Sequence, residues 1–144
     1  MPREQVLACF KPFLEDPQLL KIGQNLKYDI LVLARAGIEV KGTLCDTMLA
    51  SYLANPAARS HGMDSLAADL LGYRTISYHD VAGRGRNQVG FDEVEIDKAT
   101  PYAAEDADIT LRLYEKLLPM IEAADQGRLF NEVEMPLLSV LVGM

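Results

Sequence analysis

A long helical pattern near the C-terminus is the feature of this sequence that most restricts its fold. Between residues 97 and 124, apolar and aromatic side chains recur at spacings of three and four. This period predicts one helix from about Asp97 to Ala124, with a single stripe that faces a core. The stripe consists of Tyr102, Ile109, Leu113, Leu117 and Met120. Asp106 falls in the same stripe, so the sequence places a carboxylate on the buried face.

A buried acid on that helix needs a compensating partner. An ionised carboxylate in a core costs several kcal/mol unless a cation, a metal ion or hydrogen-bond donors offset it. Tyr102 lies one turn before Asp106 and brings a hydroxyl group to the same place. Asp108 points roughly 200° around the helix from Asp106, which predicts an ordinary solvent-facing side chain. Glu105 is likewise predicted to be solvated.

The N-terminal half alternates between strand and helix signals, which indicates an α/β class. An amphipathic helix is predicted after Pro2, and Asp46 and Asp64 are predicted to cap later helices. The segment from residue 74 to 91 is glycine-rich and predicts a short helical turn followed by a mobile loop. Strands are predicted at 19–24 and 38–45, and a last helix is predicted from residue 131. A helix is predicted at 26–36, capped by Asn25 and ended by Gly37, and its apolar residues indicate burial on several sides.

A second acid, Asp29, lies among the aliphatic residues of the 26–36 helix and shares a face with Asn25 and Leu33. Two buried acids on separate helices suit a two-metal phosphoryl-transfer site, because hard cations prefer oxygen ligands. From spacing alone, helix caps, core hydrogen bonds and structural ion pairs explain buried acids more often than a metal site does.

The composition restricts the class of protein. A net charge of −7 argues against a broad basic surface that grips nucleic acid, although arginines cluster at Arg74, Arg84 and Arg86. No apolar run is long enough for a membrane helix and no signal peptide is visible, so we expect a cytoplasmic protein without a membrane partner. Cys9 and Cys45 show no zinc-ligand spacing and are expected to be buried thiols.

Several segments resemble one enzyme family. Residues 23–29, GQNLKYD, resemble the second motif of the DEDD exonuclease superfamily, and residues 102–108, YAAEDAD, resemble the third motif in its tyrosine-containing form. The segments at 46–52, 63–67 and 132–137 resemble the connecting segments in family A polymerases. The chain is thus similar to the proofreading 3′-to-5′ exonuclease domains of bacterial DNA polymerase I.

The resemblance implies an RNase H-like exonuclease fold, helix-rich and incomplete here because its first strands are missing. It implies that Asp106 and Asp29 ligate metal, two Mg²⁺ or Mn²⁺ ions in a complete domain, and that Tyr102 orients the nucleophilic water. Asn25 would help to position the substrate. The loop with Tyr78, Arg84 and Arg86 would contact the frayed single-stranded 3′ end of DNA. A core tyrosine and a solvated loop are the alternative for that loop.

The chain departs from the family in one respect, because it contains no Asp-x-Glu, the first motif and the source of two catalytic carboxylates. We therefore expect a chain that begins after the first strands, with residues 1–127 as a partial exonuclease domain and 128–144 as the start of a helix that leads to the polymerase domain of the same parent protein. We also expect little or no nuclease activity from the isolated chain, and self-association through unpaired strand edges.

Other functions remain open at this stage. A catalytically silent scaffold domain of a polymerase would resemble the family without its activity, and an exonuclease of the RNase D or Werner type would share the second and third motifs. His61 and His79 each stand alone in turn-like sequence, which is more typical of exposed histidines than of metal ligands.

Overall fold

The computed structural model describes residues 2–144, so Met1 of the predicted 1–127 segment lies outside it. The described chain is mostly helical, with two short strands near its N-terminus. The elements are α1 (Arg3–Leu14), β1 (Lys21–Gly23), α2 (Leu26–Arg35), β2 (Leu44–Asp46), α3 (Thr47–Ala54), α4 (Met63–Leu66), α5 (Tyr78–Ala82), α6 (Ile96–Ala123), α7 (Gly127–Leu129) and α8 (Met135–Gly143). A π-helical segment continues α4 over Ala67–Leu71, and another joins α7 to α8 over Phe130–Glu134. Two 3₁₀ turns follow α5, at Gly85–Asn87 and Phe91–Glu93.

Strands β1 and β2 pair in parallel, and helix α2 makes the crossover between them. Ile22 pairs with Cys45 and Gly23 with Asp46, which brings the start of α2 next to the start of α3. Each strand has three residues, shorter than the predicted segments at 19–24 and 38–45. The second segment cannot stay extended because Gly42 adopts a φ of +91°, and a Cβ atom there would lie 2.6 Å from the carbonyl oxygen of Leu19. The prediction of a helix-rich α/β chain is confirmed, and its sheet is small and parallel.

Helix α6 is the centre of the core. Its predicted bounds, 97–124, agree with the observed helix to within one residue at each end. Ile109, Leu113 and Leu117 of the predicted stripe are fully buried, and α6 packs on β1, α3, α4 and α5. The apolar side chains that complete the core come from other helices, namely Leu26, Ala50, Leu66, Phe130 and Leu138.

Asp46 joins the two helices that leave the sheet. Its carboxylate accepts hydrogen bonds from the backbone amides of Met48 and Leu49 at the start of α3, as predicted for a cap. It also accepts from the amides of Asn25 and Leu26 at the start of α2, at 3.0 and 2.7 Å. The amides at a helix N-terminus lack partners inside the helix, so one buried carboxylate stabilises both helix starts.

Two other predicted caps are wrong. The Asn25 side chain makes no capping hydrogen bond, because its backbone adopts a left-handed conformation with a φ of +61° and Asp46 caps α2 instead. The Asp64 side chain does not cap α4, whose N-cap residue is Gly62, and it accepts a hydrogen bond from Thr75. The predicted end of α2 at Gly37 is confirmed by its φ of +77° and by hydrogen bonds from the amides of Gly37 and Ile38 back to the last turn.

Helices α1 and α2 are less buried than their patterns predict. Helix α1 contains no buried residue among those described, and Phe10, Phe13 and Cys9 are exposed. Only Leu26 of α2 is buried, so the prediction of a helix enclosed on several sides is wrong. Cys45 is buried, as predicted.

The C-terminal helical region begins at Gly127, four residues before the prediction, and it buries Phe130, Met135 and Leu138. Within residues 2–144, no helix combines the length and apolar character that a membrane span requires.

Candidate active site

A cavity of about 570 Å³ opens beside β1, α2 and α6. Asp29 enters its wall from α2 and Asp106 from α6, so the structure brings the two predicted acids to one cavity. Much of the remaining wall is aliphatic and includes Ile22, Leu26, Ile30, Leu33 and Val40. An apolar wall with a few polar groups is typical of a ligand site, because it strengthens electrostatic interactions with whatever binds there.

Asp106 is half-buried on α6. Burial raises the pKa of its carboxyl group above the ordinary value, and the negative charges of Asp64 and Glu105 raise it further, while the hydroxyl of Tyr102 lowers it. None of the ion pairs among residues 2–144 includes Asp106. The site therefore holds a carboxylate that would be stabilised by an added cation.

Asp29 differs from the prediction in its exposure. Its side chain reaches the cavity wall but is exposed to solvent rather than buried. The surrounding protein still raises the pKa of its carboxyl group, mainly by desolvation and to a smaller extent through the charge of Asp46. Asp29 stands near the start of α2, which Asp46 holds, so its position depends on that buried cap.

Tyr102 lies on α6 one turn before Asp106 and is half-buried. Desolvation, followed by the neighbouring charge of Asp106, raises the pKa of the Tyr102 phenol to about 12. The hydroxyl group therefore stays protonated at neutral pH and can donate a hydrogen bond. Its ring lies 6.4 Å from the ring of Tyr78 and 5.6 Å from that of Phe91, measured between centroids.

The predicted substrate residues occupy two different places. Asn25 lies at the β1–α2 turn, and Tyr78 begins α5 beside Tyr102. Arg84 and Arg86 are exposed in the segment after α5 and do not line the cavity. Hydrogen bonding with Ser77 lowers the pKa of Asp80, and the charges of Arg84 and Arg74 lower it further, so this carboxylate lies near part of the positive charge of the segment.

Several residues near the site were not identified from the sequence. Phe91 completes an aromatic cluster with Tyr78 and Tyr102. Glu105 is not solvated as predicted, because both of its carboxylate oxygens accept hydrogen bonds from the chain at residues 73 and 76. The only sequence feature that could have indicated Phe91 is its aromatic side chain in a glycine-rich segment. No feature of the sequence indicates that Glu105 has partners on another segment.

His61 is buried, contrary to the prediction of an exposed histidine. Its Nδ1 lies 2.8 Å from the Ser51 hydroxyl, and its ring stacks on Tyr52. The Gln24 side chain donates to the His61 carbonyl, which ties the turn before α2 to this histidine. His79 is exposed, as predicted.

The profile of a protein family described as 3′-5′ exonuclease matches residues 2–122. The chain belongs to this exonuclease family. The resemblance of its second and third motifs is thereby confirmed at the level of the family.

The relatives of this chain include several bacterial DNA polymerases. It is 49% identical over 144 residues to DNA polymerase I of Pseudomonas aeruginosa, an alignment that covers 98% of this chain and 16% of the relative. It is 49% identical to DNA polymerase I of Rhizobium leguminosarum, over 100% of this chain and 14% of the relative. DNA polymerase I of Chloroflexus aurantiacus is 39% identical, with 100% and 15% covered. The chain thus spans about a sixth or less of the length of these relatives.

The donor set of the cavity fits a divalent cation by type. Carboxylate oxygens are the ligands that Mg²⁺ and Mn²⁺ prefer, and Asp29 and Asp106 supply them on one cavity. The set is small, since no group of three or more acidic, histidine or cysteine side chains suited to a metal occurs in the described part of the chain. Water, phosphate oxygens or further acids must complete the coordination of any bound ion.

Proposed function

We propose that this chain forms part of the 3′-5′ proofreading site of a DNA polymerase I, which hydrolyses the 3′-terminal phosphodiester of DNA. One observation carries the proposal: two acids from separate helices reach one cavity, and the acid on α6 has a protonated phenol beside it. The similarity to DNA polymerases I supports a polymerase rather than an exonuclease of the RNase D or Werner type.

In this proposal Asp106 and Asp29 would supply part of the ligands for two divalent cations, Mg²⁺ or Mn²⁺, in the complete domain, and this chain alone would bind them weakly or not at all. Bound ions of this kind neutralise phosphate charge and lower the pKa of a bound water molecule. The Tyr102 hydroxyl keeps its proton and orients the attacking water by donating or accepting a hydrogen bond. Aliphatic side chains line much of the cavity beside the two carboxylates, and an apolar wall strengthens the attraction between a carboxylate and a bound cation.

The substrate in this proposal is the frayed single-stranded 3′ end. Tyr78 offers an aromatic face for base stacking, and Arg84 and Arg86 offer exposed positive charge for the phosphates. Asn25, at the β1–α2 turn, helps to position the terminal nucleotide in this proposal. The position of Tyr78 next to Tyr102 supports this arrangement, because a base stacked there lies near the proposed water-orienting group.

Further parts of the proposal concern the parent protein. We propose an RNase H-like fold for the complete domain. Residues 1–127 would belong to the exonuclease domain, and residues 128–144 would lead to a polymerase domain. That polymerase domain of the parent protein would be the partner of the exonuclease domain. We also propose a cytoplasmic location, because the proposed substrate is DNA and the two relatives that are 49% identical to this chain are bacterial polymerases. Self-association of the isolated chain remains a prediction, which sedimentation over a range of concentrations tests.

A silent scaffold is the second candidate function, and it is favoured because no cluster of three or more candidate metal ligands occurs among residues 2–144. The absence of Asp-x-Glu from the sequence points the same way for this chain taken alone. The two candidates differ in one measurable respect, because only an active site loses turnover when Asp106 is replaced.

The decisive experiment measures release of the 3′-terminal nucleotide by the full-length polymerase that we propose contains this chain. With Mg²⁺ and a single-stranded oligonucleotide, Asp106→Ala should lower the rate by about a hundredfold or more, and Asp29→Ala should do the same. Asp108→Ala is the matched control, because Asp108 is exposed on the same helix. A wild-type rate equal to that of Asp106→Ala would instead establish the silent scaffold. The chain of 144 residues should show no turnover in this assay.

A further inference from the structure

The Glu105 carboxylate connects helix α6 to the chain segment that follows α4. Its Oε1 accepts a hydrogen bond of 2.8 Å from the Tyr73 hydroxyl. Its Oε2 accepts one of 2.6 Å from the backbone amide of Ile76. These partners are 32 and 29 residues away in sequence, so the two bonds are tertiary contacts. Hydrogen bonds to an ionised carboxylate are roughly twice as strong as bonds between neutral groups.

The same segment is held at two neighbouring points. The Thr75 hydroxyl donates to the carboxylate of Asp64 at 2.8 Å. The guanidinium of Arg112 lies 5.4 Å from the centre of the Tyr73 ring, within the range of a cation–π interaction. The four-residue stretch 73–76 therefore contacts both α4 and α6, and Glu105 is the residue that binds it at two atoms.

This stretch leads directly into the aromatic side chain beside the candidate site. At the start of α5, immediately after Ile76, the Ser77 amide donates a hydrogen bond of 3.2 Å to the Asp80 carboxylate. Tyr78 is therefore two residues from the amide that Glu105 binds, and its ring packs edge-on against Tyr102. Glu105 itself is the residue before Asp106, so one turn of α6 carries the anchor, the phenol and the acid.

We propose that Glu105 is a positioning residue that fixes the Tyr78 segment against the turn of α6 that carries Tyr102 and Asp106. The inference rests on the proposed function for its substrate: the 3′-terminal base stacks on Tyr78, and Glu105 sets where that base lies relative to the reacting phosphodiester. Glu105 contacts neither the substrate nor a metal in this arrangement.

The chemistry of the Tyr73 contact is consistent with this role. The hydrogen bond to Glu105 and its charge raise the pKa of the Tyr73 phenol, so the hydroxyl remains a donor at neutral pH. Both hydrogen-bond partners of the Glu105 carboxylate lie on the 73–76 segment and not on α6, so these bonds fix that segment rather than the helix itself. The proposal therefore predicts a local effect on residues 73–82.

Three variants and one control test the proposal. Glu105→Ala removes both hydrogen bonds, Tyr73→Phe removes one, and Glu105→Gln keeps the length of the side chain and an acceptor for the Ile76 amide. Glu115→Ala is the matched control on α6, because Glu115 is exposed and makes no ion pair or side-chain hydrogen bond among residues 2–144.

Hydrogen exchange on this chain gives the first measurement, and it does not depend on DNA. Glu105→Ala should speed amide exchange across residues 73–82 by about tenfold or more, because each lost contact lowers the free energy of local opening. Exchange in α3 should not change. Glu105→Gln should fall between wild type and Glu105→Ala. Equal exchange of residues 73–82 in wild type and Glu105→Ala would overturn the proposal.

Nucleotide release by the full-length polymerase gives the second measurement. Glu105→Ala should raise the KM for a single-stranded 3′ end by about tenfold and change kcat by less than about threefold, with Glu105→Gln restoring much of the loss. A fall in kcat at unchanged KM would overturn the positioning role. If the wild-type enzyme releases no nucleotide, the proposed function is wrong, and the exchange result still accepts or rejects Glu105 as the residue that fixes the Tyr78 segment.

Discussion

The acids of this chain differ in their partners rather than in their chemistry. Asp46 is almost fully buried, and four backbone amides donate to its carboxylate. Asp106 is half-buried beside other acids, and Asp29 is exposed at the cavity wall. Donors compensate the first of these charges within the fold, whereas the other two would gain from a bound cation. This contrast separates a structural acid from two candidate functional acids.

Removal of the Asp46 carboxylate should destabilise the chain strongly. Asp46→Ala leaves the starts of α2 and α3 without their common acceptor, and loss of a single helix cap costs about 1 kcal/mol. We expect a decrease of about 2 to 4 kcal/mol in the free energy of unfolding, because buried amides also stay unpaired. Urea denaturation measures this decrease. Asp69→Ala, at an exposed aspartate, is the control, and an equal effect of both variants would contradict the capping role.

The raised pKa of Asp106 predicts the direction of a pH dependence. A carboxyl group whose pKa is higher in the folded state binds more protons when folded, so its ionisation lowers stability as the pH rises past the unfolded value. Asp106→Asn should therefore flatten the loss of stability between acidic and neutral pH. The urea midpoint measured across this pH range tests the prediction. Asp108→Asn serves as the control, and a flattening by the control alone would refute it.

Sequence reasoning identifies residues whose signal is local. Asp106 is recognisable because its neighbours on one helix face are apolar, and Asp108 because it points away from that face. Glu105 and His61 are not recognisable, since their partners lie far away in sequence: Tyr73 and Ile76 for the first, Ser51 and Gln24 for the second. Only the tertiary structure brings these partners together.

Helix α6 is the element around which the other helices and the strands pack. Its stripe was predictable because a helix of 28 residues repeats the apolar period many times. The strands were predicted too long, because a short apolar run does not reveal that Gly42 needs a positive φ. The exposure of α1 was not predictable, since an apolar face shows what could be buried but not whether another element covers it.

Truncation of a side chain in the α6 stripe should test that organisation. Leu113→Ala removes a fully buried side chain, and such changes cost about 2 to 5 kcal/mol because they leave a cavity. Leu111→Ala, two positions away, removes a side chain that is 47% exposed and should cost less than about 1 kcal/mol. Thermal or urea denaturation of both variants gives the comparison. Similar losses would mean that α6 does not direct one face to the core.

The net negative charge of the chain is unfavourable for binding the proposed substrate, DNA. A chain with a charge of −7 repels a polyanion, so contact with DNA must come from a local group of positive charges. Arg74, Arg84 and Arg86 supply such a group in and before the segment that follows α5. Bound divalent cations at Asp29 and Asp106 would reduce the repulsion further.

This balance predicts how salt should affect binding of single-stranded DNA. Each phosphate contact that a basic residue makes releases counterions, and its loss reduces the slope of log affinity against log salt by about 0.7 for single strands. Arg84→Ala and Arg86→Ala should each weaken binding severalfold and reduce the slope by about that amount. Fluorescence titration with a labelled oligonucleotide, at a series of salt concentrations, measures both quantities. Arg128→Ala removes an exposed arginine that pairs with Glu132 in the C-terminal region and should leave the slope unchanged. If all three variants lose the same affinity, the overall charge rather than the segment after α5 governs the encounter with DNA.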